Sequence, residues 1–323
     1  MTLLLGGAVG APDGGQGGGQ GPVVPVAPPS APPPLPERDS TPLRQLLTGG
    51  DGSVWELTGR TSGVQLKRGL RGLWFAPEEA YRDESPAAAG SQYRGSRTLE
   101  REAALRVGIY SDGSSADWYA HAAAFARALN PRREVVWTVI SPSGTTRHLT
   151  MRFVPKDGGF DVDPGQAGWT LLDLEFVAAQ PYWRGAPVVR PFEESAPQDF
   201  RAGPQRFISA SNTLGRASIT NPGDVPAYSL FTVEGPTTSV AVGVNGQVTE
   251  VPFVLPAGRS LAIDTSPTGQ LAVDSAGVDR TAELGQVAFV PVPPGERVPL
   301  TLRMAGTGRV VISLTPEYDC AFA

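Results

Sequence analysis

Glu134-Val135-Val136-Trp137-Thr138-Val139-Ile140, Ser141-Pro142-Ser143-Gly144 and then Thr145 to Val154 form the stretch that decides the fold. The first part is a β-branched run. The second holds the residues of a turn, with proline fixing φ and glycine admitting positive φ. In the third, Leu149, Met151 and Phe153 alternate with His148, Thr150 and Arg152, the period of a strand with one buried face. Together they predict an antiparallel hairpin.

The pattern continues on both sides. Upstream, a Gly-Gly-Asp-Gly turn precedes Gly52 to Leu57, Val64 to Leu66 follows Gly63, and Leu105 to Tyr110 alternates again, so three further strands are expected. Between Pro77 and Ser96, prolines, alanines and mixed charge follow no period, which reads as a long loop. One helix is expected over Asp117 to Leu129, because Trp118, Ala122, Phe125 and Leu129 share a face. Asp117 or Ser115 can cap its start, and Asn130-Pro131 stops it. Downstream, Thr170 to Val177 sets Leu172, Leu174 and Phe176 against Asp173 and Glu175 and closes in Ala179-Gln180-Pro181-Tyr182-Trp183.

Beyond Pro187 the rhythm shortens. Tyr228 to Val233, Ser239 to Val244, Gln247 to Val254, Ser260 to Asp264, Gln270 to Asp274, Gln286 to Val290, Val298 to Met304 and Arg309 to Leu314 read as strands separated by turns. Asn245-Gly246 is a strong hairpin signal, since both turn positions need φ above zero. The expectation is a mainly β protein organised as a Gly/Pro-rich arm over 1–40, a barrel- or sandwich-like domain with one α-helix over 41–186, a linker over 187–204 and an antiparallel β-sandwich over 205–323. The arm runs from a flexible Gly/Gln stretch into a polyproline one and cannot form a core, so it is expected to lie extended along a neighbouring subunit.

Composition narrows the chemistry. The 32 acidic and 27 basic residues of the 323 give a net charge of -5, which leaves no footprint for sequence-specific nucleic-acid binding. Cys320 is the single cysteine, so no internal disulfide exists. With only His121 and His148 as histidines, a Cys/His zinc site cannot be assembled. No apolar run approaches a membrane span, and Met1 to Leu5 lacks the build of a secretory signal, so a soluble, unexported protein without membrane insertion is expected.

His148 reads as an exposed strand residue, and His121 lies beside the helix's apolar stripe with no carboxylate placed to orient it. Asp161-Val162-Asp163-Pro164-Gly165 lacks the third oxygen ligand and the distal glutamate of a calcium loop and reads as a plain turn. Gly14 to Gly21 has no flanking strand and helix, and Gly306-Thr307-Gly308 is a hairpin turn, so neither is a phosphate loop. Glu78-Glu79 and Glu193-Glu194 read as solvated loop charge, and Cys320 as a spectator. No catalytic, cofactor-binding or metal-ligating residue is therefore assigned, no cofactor is expected, and the protein is read as a non-enzyme. All six tryptophans fall before residue 184, which leaves the second half poorly supplied with aromatics for stacking on sugars.

The order of these features, from Gly52-Ser53-Val54-Trp55-Glu56-Leu57 through the helix and the Ser-Pro-Ser-Gly hairpin to Pro181-Tyr182-Trp183, resembles the distal tail protein family of long-tailed, siphovirus-type bacteriophages. Asn221-Pro222-Gly223-Asp224-Val225-Pro226-Ala227-Tyr228 is similar to the start of the second domain in those proteins, particularly the minor tail proteins of actinobacterial phages. The likeness covers about residues 43–320, and Gln180 stands where the family often has an acid. It implies a tube-hub first domain, a jelly-roll or galectin-like second domain, and a homohexameric ring at the virion tail tip, assembled in the host cytoplasm. The implied partners are the tail tube protein, the tail-tip hub and tape-measure proteins and receptor-binding proteins, around a channel for DNA. The alternative is a carbohydrate- or receptor-binding adhesin module.

Overall fold

The computed structural model describes residues 41–59, 61–84, 89–156, 159–160, 162–193 and 217–322. The arm at 1–40 and most of the expected linker lie outside these residues.

The chain runs β1 (Arg44–Thr48), β2 (Val54–Glu56), β3 (Val64–Leu66), β4 (Glu78–Glu84), β5 (Ser91–Thr98), β6 (Arg101–Tyr110), α1 (Ser115–Ala128), β7 (Glu134–Ile140), β8 (Thr146–Val154), α2 (Pro164–Ala167), β9 (Trp169–Ala178) and β10 (Trp183–Arg184). It continues through β11 (Val188–Glu193), β12 (Ser218–Thr220), β13 (Ser229–Glu234), β14 (Thr237–Val244), β15 (Gln247–Val251), β16 (Ser260–Asp264), β17 (Leu271–Asp274), β18 (Arg297–Gly306), β19 (Arg309–Leu314) and β20 (Glu317–Tyr318). The protein is mainly β, as its alternating sequence predicts.

The decisive hairpin is β7 and β8, with Trp137 opposite Leu149 and Val135 opposite Met151, all four buried. They are central in a sheet ordered β2-β1-β7-β8-β9-β6-β3, whose ladders are all antiparallel. The Leu66 N–H donates to the Leu57 carbonyl just past β2 at 2.9 Å, so the two ends of this order approach and the sheet is a nearly closed barrel. Its core holds Trp55, Leu105, Trp137, Leu149, Phe176 and Trp183, and α1 adds Trp118 and Phe125 from the face expected of it, together with Ala128. Each large side chain so buried contributes about 1.5–3 kcal/mol.

A second core is enclosed by two antiparallel sheets, β11-β19-β13-β16-β17 and β12-β18-β14-β15. Phe231, Val233, Ile312 and Leu314 from the first sheet share it with Val240, Val242, Leu300 and Leu302 from the second. Asn245 (φ 52) and Gly246 (φ 83) make the β14–β15 turn in the left-handed region, which is why that dipeptide stands there.

Several expectations are corrected. Pro77 to Ser96 is not a loop but contains most of a hairpin, β4 with β5. Every described residue of β4 is exposed, so no buried face imposes a hydrophobic period on the sequence. The expected linker opens with β11, which pairs with β19 throughout its length. Residues Glu317 to Phe322, assigned on sequence to the second half, return to the first core: β20 pairs with β10, and Ala321 is buried in the same cluster as Trp183. Gln286 to Val290 is no ladder strand. It runs beside β15 through the Glu250 N–H to the Gln286 carbonyl and a reciprocal pair of bonds between the Thr249 hydroxyl and the backbone of Ala288. Asp163 caps the four-residue α2 where a plain turn was expected, making a second short helix.

The cap of α1 is Ser114, one residue before Ser115 and three before Asp117, the two expected candidates. Its hydroxyl accepts the Asp117 N–H, and the Asp117 carboxylate accepts the Ser114 N–H, a reciprocal capping box. Ser114→Ala is expected to lower stability by about 1 kcal/mol in urea unfolding, because two N–H groups at the helix start lose their arrangement together.

Candidate assembly surfaces and the junction groove

Two arginines organise the place where the chain's end meets the barrel. Arg101, at the first position of β6, is 1% exposed, and its guanidinium donates to the carbonyls of Gly72 (2.9 Å), Asp319 (2.8 Å), Trp74 and Pro181. Burial lowers its pKa, with the Asp319 charge opposing. Arg147 on β8 donates to the Cys320 carbonyl at 2.7 Å and lies over the Tyr318 ring at 3.6 Å. Planar guanidinium groups suit these roles, since several N–H vectors diverge from one rigid fork. The Ala321 N–H donates to the Leu73 carbonyl, and Phe322 packs edge-on against Trp74. Cys320 is thus held by its backbone, while burial raises its thiol pKa.

Two patches of exposed aromatic and aliphatic side chains flank the barrel. Trp74 (62% exposed) and Phe75 (70%) sit beside the start of β6, where Arg101 grips the Trp74 carbonyl. Tyr119, Phe160, Trp169 and Leu171 are exposed at its other end, where Tyr110 faces Trp169 across the ladder. The ten residues of β6 separate these ends by roughly 30 Å.

A groove of about 500 Å³ lies where the two cores meet. One wall is the outward face of β16, β13 and β19, on which Asp264, Leu230 and Ser313 stand in one row across the three strands. Two residues further along, Ser266, Tyr228 and Thr315 repeat the row, since side chains two apart share a face. The facing wall carries Gln180, Tyr182 and Arg184. The Tyr182 hydroxyl is fixed 2.9 Å from that of Thr98, and Arg184 pairs with Glu317 at 3.4 Å. Burial raises the Glu317 pKa in spite of that arginine.

Neither histidine lines the groove, although His148 stands opposite Arg184 in the β8–β10 pairing. His148 is exposed as a whole on β8, with Nδ1 2.9 Å from the Thr138 hydroxyl, and the partial desolvation of its ring lowers its pKa. His121 packs its ring 5.3 Å from Trp55, and its Nε2 is buried without a hydrogen-bond partner among the described residues. Neither ring hydrogen-bonds a carboxylate among the described residues. There, no three His, Cys, Asp or Glu side chains are grouped to hold a metal ion, and no helix is long and apolar enough to cross a membrane. Sequence reading missed the groove because Tyr182 and Tyr228 belong to different cores, and it missed the patches because single exposed aromatics carry no period.

A barrel joined to a two-sheet unit by paired crossings is a fold shared with phage tail hub and baseplate proteins. The Dit protein of phage SPP1, described as a paradigm of the hub adsorption apparatus in phages infecting Gram-positive bacteria, superposes with a TM-score of 0.61 at 15% identity, covering 84% of this chain and 98% of that one. Chains of the phage P2 baseplate in its activated conformation follow. With calcium the TM-score is 0.53 at 10% identity, over 86% of this chain and 99% of that one; with strontium it is 0.51 at 9%, over 87% and 100%. At these identities the likeness is one of fold. No protein-family model and no curated relative matches the sequence.

Proposed function

We infer that this chain is a structural subunit of a phage tail tip, of the distal tail protein type, that associates head-to-tail into a homohexameric ring. The observation that carries the reading is the near-complete coverage of hub and baseplate chains by this fold. The two patches support the ring. Each is aromatic, as binding hot spots are, and they lie at opposite ends of β6. A two-fold dimer needs one self-complementary patch, whereas two different patches on one subunit join in a heterologous contact that closes into a ring when the rotation permits. The ring would link the tail tube to the tail-tip hub and tape-measure proteins and to receptor-binding proteins in the virion of a siphovirus-type, actinobacterial phage, leaving a channel for DNA. The net charge of -5 fits such a channel, because a subunit without excess positive charge offers passing phosphates little to bind. The work is structural, not enzymatic.

Native mass spectrometry and negative-stain microscopy of the purified chain test this. A six-fold ring is expected, and Trp74→Glu or Leu171→Glu should each weaken association by about thirtyfold or more. A chain that stays monomeric at all concentrations and alongside tail proteins overturns the reading.

A further inference from the structure

The geometry points to the junction groove as a binding site for a neutral glycan. This takes up the adhesin alternative and does not depend on ring closure. Charge in the groove is largely satisfied internally: Arg184 pairs with Glu317, and Asp264 accepts the Ser266 N–H at 2.8 Å. Left over are the hydroxyls of Tyr228, Thr268, Ser313 and Thr315, whose side chains make no hydrogen bond among the described residues. Hydroxyls both donate and accept, as the hydroxyls of a sugar do. Tyr228 and Tyr182 add rings against which the C–H face of a sugar can pack, and Tyr182 is already oriented by Thr98.

Other ligand classes fit less well. A phosphate would compete with Glu317 for the single arginine of the lining. An extended peptide adds to a sheet edge, whereas this wall is the face of three paired strands. An apolar ligand would find only Leu230 and two prolines, Pro226 and Pro267. The volume is within the range of small-ligand sites, roughly 300–1,000 Å³.

The test is saturation-transfer NMR on the full chain with linear trisaccharides of glucose, galactose, mannose and N-acetylglucosamine, and with tetralysine as the charged control. At least one trisaccharide is expected to bind with a Kd of about 1 mM or tighter, and tetralysine is expected not to compete. Tyr228→Ala and Thr315→Val should each weaken that binding about tenfold, with the thermal midpoint unchanged for Thr315→Val, which keeps the β-branched shape. Absence of binding by every trisaccharide at about 10 mM, binding indifferent to both substitutions, or preference for tetralysine overturns the proposal. Native masses of the same samples separate this outcome from a failure to form rings.

Discussion

Arg101→Met is expected to lower the free energy of unfolding by at least about 4 kcal/mol, read as a fall in the urea midpoint at unchanged slope. The guanidinium fills the hydrogen-bonding needs of four carbonyls, on Gly72, Trp74, Pro181 and Asp319, which come from three segments distant in sequence, the last of them near the chain's end. Methionine fills similar space but donates nothing, so buried acceptors lose their partner at about 1–3 kcal/mol each. Arg101→Lys should recover only part of the loss. It keeps the charge, but a single ammonium on a flexible stem cannot reach four acceptors laid out for a planar fork. A lysine variant as stable as the parent would show that charge alone matters there.

Ending the chain at Pro316 is expected to unfold the barrel while leaving the second core folded. The deletion removes β20, the buried Ala321, and two carbonyls that accept from buried arginines, those of Asp319 for Arg101 and Cys320 for Arg147. It also strips Tyr318 from the Arg147 guanidinium. Arg147 would then lose its carbonyl acceptor and Arg101 one of its four, and with the lost packing of the returning segment the cost is several kcal/mol, comparable with the whole stability of a domain. All six tryptophans precede residue 184, so their fluorescence and near-ultraviolet dichroism report on the barrel alone. The expected result is a red-shifted tryptophan emission with retained β-type far-ultraviolet dichroism from β11 to β19. Unchanged tryptophan emission in the shortened chain would show that the first core is complete without its returning segment.

What could be read from residues follows from burial. Where one face of a strand is covered and the other wet, the sequence alternates, so β7, β8, β9 and most of the second half could be placed from sequence. Left-handed turn geometry excludes most residues, which made Asn245-Gly246 equally plain. The β4–β5 hairpin has no covered face among its described residues, and its ladder depends on backbone bonds that any residue can make, so it looked like loop. Gln286 to Val290 shows the reverse error. It has the composition of a strand, yet its neighbour meets it partly through the Thr249 side chain.

By itself the sequence determined a mainly β chain with one substantial helix, a hairpin at its centre, and a chemistry without disulfides or Cys/His metal centres. It also held the order of features that resembles phage tail proteins. Only the tertiary structure decided that Glu317 to Phe322 complete the first core, that Arg101 and Arg147 are buried, and that Tyr182 and Tyr228 line one groove. The reason is physical. Periodicity records whether a residue faces core or solvent within its own element, whereas a buried guanidinium or a groove between two cores is made by segments far apart in the chain, and no local pattern registers that meeting.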